Sequence, residues 1–147
     1  KNIIFLNQAL TTSDAASVYL VRHGRLSAYY TSLESVGKNC LEVPNVSLRN
    51  LMKIFKLESI DLIKLDCEGS EYPLLHWLSQ NPVAKQISVS FHDNLGRGPY
   101  LDSVVYYEEI FDKLKENYHI VKHVKSIWKS NRGNAATNYE DSLLIRK

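Results

Sequence analysis

The sequence predicts an α/β domain built on a mostly parallel sheet, and three observations carry that reading. Ile60–Leu65 and Lys85–Phe91 are short, largely apolar runs, as expected of strands covered on both faces. Helix-like segments alternate with the strand-like runs, in the order strand, strand, helix, strand, helix, strand, helix, strand, strand, which implies βαβ units. No helix separates the last two strand-like runs, so that pair is expected to be antiparallel.

Each element follows from local chemistry. Ile3–Leu6 is a continuous apolar run that reads as a buried strand ending at Asn7, Gln8 and Ala9. Thr11–Asp14 is a turn cluster, and Ser17–Val21 reads as a second strand reversing the first. Residues 22–40 read as irregular. Pro44 and Asn45 mark a boundary, after which Ser47 is placed to cap a helix carrying Leu48, Leu51, Met52 and Phe55 at helical spacing. The strand Ile60–Leu65 is followed by a helix over 71–80, with Pro73 in its first turn and Leu74, Leu75 and Leu78 turned inward. After Lys85–Phe91, the stretch "DNLGRGPY" is a Gly/Pro loop. Tyr107, Ile110, Phe111 and Leu114 recur at i, i+3, i+4 and i+7, which predicts a helix over 103–117. His119–Trp128 and Leu143–Ile145 read as the last strands, with "KSNRGNAATNYED" as the loop between them.

Length and composition narrow the function. The chain has 147 residues, enough for a single domain over 1–147 that buries a core without staples. Its net charge of +2 is too small to imply nucleic acid, and no apolar run approaches a membrane span. Cys40 and Cys67 make no framework; they read most simply as reduced thiols of a cytoplasmic protein, with a single disulfide as the alternative.

Ligands of open α/β sheets bind beyond the carboxyl ends of the strands. That edge receives Asn7, Gln8 and Ala9 from the first strand, Asp66, Cys67, Glu68 and Gly69 from the Ile60 strand, and His92, Asp93 and Asn94 from the Lys85 strand. Asp66, Glu68, His92 and Asp93 are therefore expected to share one cleft. Each also has a plain structural reading: Asp66 as a cap, Gly69 as a turn residue, Glu68 and Glu71 as carboxylates favoured at a helix N-terminus. Convergence on one edge is what favours a functional cluster. Tyr29 and Tyr30 either line a substrate pocket or pack over the core. The basic stretch "VKHVKSIWKSNR" is explained by a half-exposed strand.

The stretch "IDLIKLDCEGSEYPLL" resembles the signature of the FkbM-type S-adenosylmethionine-dependent methyltransferases, a strand ending in Lys-Ile-Asp-x-Glu-Gly-x-Glu. Lys64, Leu65, Asp66, Glu68, Gly69 and Glu71 stand at the matching positions. "KQISVSFHD" resembles the family's next strand, ending in Phe91, His92 and Asp93, and "NIIFLNQALTTSD" and "LEVPNVSLRNLM" resemble two earlier segments. The resemblance covers essentially the whole chain. It implies a Rossmann-like methyltransferase sheet with helices on both faces, and O-methylation of a hydroxyl on a sugar, polyketide or similar natural product. It implies Gln8 and Ala9 near the cofactor's adenine, Asp66 beside its methionine end, and Glu68 and His92 facing the acceptor hydroxyl as candidate bases. Tyr30, Ser32 and Asp93 are assigned to the acceptor.

Two departures accompany the resemblance. Family members usually carry Glu two residues before the His, where this chain has Ser90. The chain also starts at the family's third strand, so the expected domain is truncated at its N-terminus, without the Gly-rich turn and the ribose-gripping acid. A sheet lacking those strands would expose an edge, which favours a homo-oligomer. Two other readings stay open: a metal-dependent hydrolase using Asp66, Glu68, His92 and Asp93, and a catalytically degenerate binding module.

Overall fold

The computed structural model describes residues 3–22, 29–32, 35, 40–67, 71–92, 103–129 and 136–147. It divides into two compact units, Lys1–Leu57 and Glu58–Lys147. Each carries one four-stranded mixed sheet.

In the first unit the strands are β1 (Ala9–Thr11), β2 (Ser17–Arg22), β3 (Tyr29–Ser32) and β4 (Cys40–Ser47), in the order β1-β4-β2-β3. β1 runs parallel to β4, and β2 is antiparallel to both β4 and β3. Three expectations change here. Ile3–Leu6 is not a strand: these side chains are exposed, Phe5 to 90%, and the ladder begins only at Ala9. Apolarity alone does not make a strand, because backbone groups need a partner. β2 does run against β1, but β4 lies between them. Finally, the stretch expected to be irregular contains β3 and the start of β4, and Pro44 falls inside a strand. Asn45 N–H donates to the Ala16 carbonyl on the β2 side, at 2.9 Å. Pro44 nitrogen therefore points the other way, where the β1 register starts only at Asn45. Its missing N–H costs the ladder nothing there.

Helix α1 (Leu48–Ile54) starts at Ser47 as expected, with the Ser47 hydroxyl accepting from Asn50 N–H at 3.1 Å. Only Leu48 of its apolar residues is fully buried. It ends in a paired closure, Lys56 N–H to Lys53 O and Leu57 N–H to Met52 O, with Lys56 at φ 51°. Glycine usually fills that left-handed position, so lysine there costs about 1 kcal/mol.

The second unit contains β5 (Ile60–Leu65), α2 (Glu71–Gln80), β6 (Ala84–His92), α3 (Ser103–Asn117), β7 (Tyr118–Lys129) and β8 (Ala136–Arg146). Their sheet order is β5-β6-β8-β7. β5 and β6 are parallel neighbours, as the sequence implies, and β7 and β8 form the expected antiparallel pair. β8 is far longer than the short strand expected. Its polar half, taken from composition as loop, is held by pairing with β7 throughout and, from Tyr139 on, with β6 as well. The β7–β8 register shifts between Ile120 and Lys122.

Ile63, Leu65, Ile87, Val89, Phe91 and Leu144 form the buried face of this sheet. Both helices cover that face. Phe91 lies 5.7 Å from the Tyr72 ring of α2 and 5.5 Å from the Phe111 ring of α3. Leu74, Leu75, Leu78, Ile110 and Leu114 are buried as their spacing predicts. Among the described residues this unit shows neither helices on both faces nor a central, doubly buried Ile60 strand. β5 stands at one end of its sheet, Leu62 is 55% exposed and Lys64 is exposed. The period-2 alternation of a one-sided strand was hidden by a leucine on the open face. No helix among the described residues is long and apolar enough to cross a membrane.

Candidate active site

Because β5 and β6 are parallel with a constant register that ends at Leu65 opposite Val89, their carboxyl ends lie at the same edge. β5 delivers Asp66 and Cys67 directly after Leu65, and β6 delivers Ser90, Phe91 and His92. The convergence of Asp66 and His92 on one edge, expected from the βαβ pattern, is therefore a property of the backbone. Glu68, Gly69 and Asp93 lie outside the described residues, and for His92 the description covers the backbone alone.

The backbone just after β5 is bound by Glu71, the last acid of the signature. Its side chain is 0% exposed, and one carboxylate oxygen accepts the Cys67 N–H at 2.5 Å. Glu71 also opens α2, where a carboxylate is favoured by the free N–H groups and the dipole of the helix. One buried side chain thus ties the end of the strand to the start of the helix. Asp66 stays half-exposed, with Lys64 Nζ 3.8 Å from Oδ2.

One residue at this edge was invisible to local sequence reading. Asp141 on β8 pairs with Ser90 and accepts its hydroxyl at 2.6 Å. Only the β6–β8 pairing brings it there, and its surroundings in sequence read as loop. Among the described residues no group of three or more His, Cys, Asp and Glu side chains is placed to hold a metal ion.

The remaining candidates belong to the first unit. Gln8 is exposed just before β1, and Ala9 is the first residue of β1, paired with Asn45. Tyr30 and Ser32 lie on β3 opposite Val21 and Tyr19, and the description covers their backbones alone. Gln8 borders a cavity of about 320 Å³ whose polar lining includes Asp14, Ser47, Asn50 and Lys53. Asp14 Oδ1 accepts from the Ser47 hydroxyl at 2.5 Å and from Asn50 Nδ2 at 3.1 Å. The loop that carries Asp14 is fixed by Asn45, a buried side chain. Its Nδ2 donates to the carbonyls of Ser13 and Ala15 at 2.9 and 2.8 Å, and its Oδ1 accepts from Thr11 Oγ1 at 2.9 Å. The turn cluster around Asp14 was legible in sequence, but the partners on β4 and α1 that make it a cavity wall were not.

The second unit thus brings an exposed acid, Asp66, and the backbone of His92 to one edge of a parallel strand pair. Residues 6–124 match a methyltransferase domain, which sets the class. The matching domain is the methyltransferase FkbM domain, and the chain belongs to that family. No curated protein and no solved structure matches the chain.

Proposed function

We propose that the protein is an S-adenosylmethionine-dependent methyltransferase that methylates a hydroxyl on a sugar or another small natural product. The observation that carries the reading is the β5–β6 edge, with Asp66 and His92 at adjacent parallel strand ends inside a segment matching a methyltransferase domain. Because that match spans residues of both compact units, we take residues 1–147 as parts of a single Rossmann-like domain.

When bound, the cofactor supplies an electrophilic methyl group on a sulfonium. The residues of this chain provide the rest. Asp66 favours the positive charge at the cofactor's methionine end, and Gln8 and Ala9 contact its adenine. Tyr30, Ser32 and Asp93 hold the acceptor. Holding the acceptor oxygen close to the methyl carbon and in line with its bond to sulfur converts binding energy into rate. A hydroxyl is a weak nucleophile until its proton begins to leave, so Glu68 or His92 takes that proton as general base. The protein works in the cytoplasm on a small-molecule acceptor, without nucleic acid or membrane, and as a homo-oligomer.

The test uses the full chain. Titration calorimetry with S-adenosylmethionine should give a binding signal that Asp66→Ala weakens. Transfer of labelled methyl to a panel of sugar and natural-product hydroxyls should fall about 100-fold or more in Glu68→Ala or His92→Ala. Unchanged turnover in both variants would remove the base assignment, and absence of cofactor binding would remove the reading as a whole.

A further inference from the structure

The backbone of Asp66 is gripped from both sides. Before it, Leu65 pairs with Val89 in the last rung of the β5–β6 ladder. After it, the Cys67 N–H donates to Glu71 Oε1 at 2.5 Å. A peptide unit is planar, so the Cys67 N–H shares a plane with the Asp66 carbonyl and Asp66 Cα. Binding that N–H fixes the peptide that follows Asp66, as the ladder fixes the strand that precedes it. The Asp66 side chain is half-exposed, yet the backbone that carries it has little freedom left.

Glu71 itself is 0% exposed and offers a ligand no surface. Burying a carboxylate is costly unless donors meet it, and a charge-assisted bond from a backbone N–H beside a helix start meets that need. The contact is not an ordinary helix cap. In a capping box the acid stands at the third helical position and bonds the N–H of the cap. Glu71 is the first residue of α2 and reaches back four residues, out of the helix, to the strand end. Its neighbour Tyr72 is also buried, and its ring lies 5.7 Å from that of Phe91, the residue before His92. Two consecutive residues in the first turn of α2 therefore hold the chain beside both site positions, Glu71 next to Asp66 and Tyr72 next to His92.

We propose that Glu71 is a positioning residue: by holding the Asp66–Cys67 peptide it sets the direction in which Asp66 presents its carboxylate to the cofactor. The part played by the cofactor rests on the methyl-transfer reading, whereas the holding of Asp66 does not. That reading assigns Glu71 no role.

Two measurements on the full chain separate these parts. The first is ¹⁵N relaxation of the Asp66 and Cys67 amides in the wild type, Glu71→Gln and Glu71→Met. Glutamine keeps an acceptor oxygen, and methionine keeps the bulk without one. Both amides should be as rigid as those of β5 in the wild type and Glu71→Gln, and mobile in Glu71→Met. The second is calorimetric titration of the same proteins with S-adenosylmethionine, each with and without Asp66→Ala. Glu71→Met should weaken binding about tenfold where Asp66 is present and no further where it is alanine, the coupling expected of residues that act as a unit. Glu71→Gln should bind as the wild type does. Glu71→Asp, whose carboxylate falls one methylene short, completes the cycle if Glu71→Met melts below the assay temperature. A Glu71 that served stability alone would give equal losses in both backgrounds, or none. Either of those results, or rigid Asp66 and Cys67 amides in Glu71→Met, overturns the proposal. A wild type that binds no S-adenosylmethionine removes the methyl-transfer reading and leaves the relaxation data to decide the role of Glu71.

Discussion

The Ser90 hydroxyl donates to the Asp141 carboxylate at 2.6 Å, directly across the β6–β8 ladder. Ser90 stands two residues before His92, at the position where FkbM-type sequences usually carry glutamate. The acid missing from β6 thus has a neighbour on β8, and Ser90 is short enough to leave room for it. Replacing Asp141 by alanine should lower kcat/KM for methyl transfer about tenfold, or about 1.4 kcal/mol of transition-state stabilisation. The loss of folding stability should stay under about 1 kcal/mol, because the pair is exposed. Urea melts beside turnover measurements check both halves; a stability loss well above 1 kcal/mol with unchanged turnover of the folded protein would make the pair purely structural.

Glu71→Ala should destabilise the protein by about 1–3 kcal/mol, because it leaves the Cys67 N–H without the buried acceptor it has now. Glu71→Gln keeps an oxygen and the side-chain shape, so it should lose less. Chemical denaturation of the two variants checks the order, and equal losses would mean that Glu71 acts through its charge rather than through this contact.

Tyr118 supplies a pH dependence. Its ring is buried and its hydroxyl donates to the Ala84 carbonyl at 3.1 Å. Burial pushes its pKa above the ordinary value of 10.0, against a smaller opposing effect from the Arg146 charge. The folded state then holds the phenol proton more tightly than the unfolded state. This contribution to stability is complete below pH 10 and is lost as pH rises from about 10 through the folded pKa. Tyr118→Phe should remove that alkaline fall and cost about 1 kcal/mol at neutral pH. Thermal melts across pH 7–11 test it, and parallel curves for the two proteins would contradict it.

Asn45→Ala should cost about 2 kcal/mol or more, since one buried amide satisfies the Ser13 and Ala15 carbonyls and takes the Thr11 hydroxyl. Asn45→Asp should be no better, because it sets a carboxylate oxygen against two carbonyls. Hydrogen exchange of the loop over residues 12–16 should quicken in both variants, and unchanged exchange would mean that β1 and β2 alone hold it.

What could be read from the sequence was what local chemistry determines. Ser47 as a cap, the helices over 71–80 and 103–117, and the strand Ile60–Leu65 depend on nearest neighbours and periodicity, and they are found at those positions. The parallel neighbourhood of Asp66 and His92 followed from a single intervening helix. What could not be read depends on partners far away in the chain. Ile3–Leu6 has strand composition and no ladder, whereas Tyr139–Asp141 has loop composition and two ladders. Asp141 was missed for the same reason, and so was the cavity, whose wall joins Asp14 to residues more than thirty positions away.

The place of β8 in its sheet also constrains how the protein is made. β6 is paired on one side by β5, close behind it in the chain, and on the other by β8, with Ile87 opposite Leu144. On a ribosome adding about 5–20 residues per second, the 57 residues from Ile87 to Leu144 take roughly 3–11 s. Throughout that interval the nascent chain presents an apolar strand with one open side. The vulnerable moment for this protein is therefore its synthesis, before β8 has been made to close that side of β6.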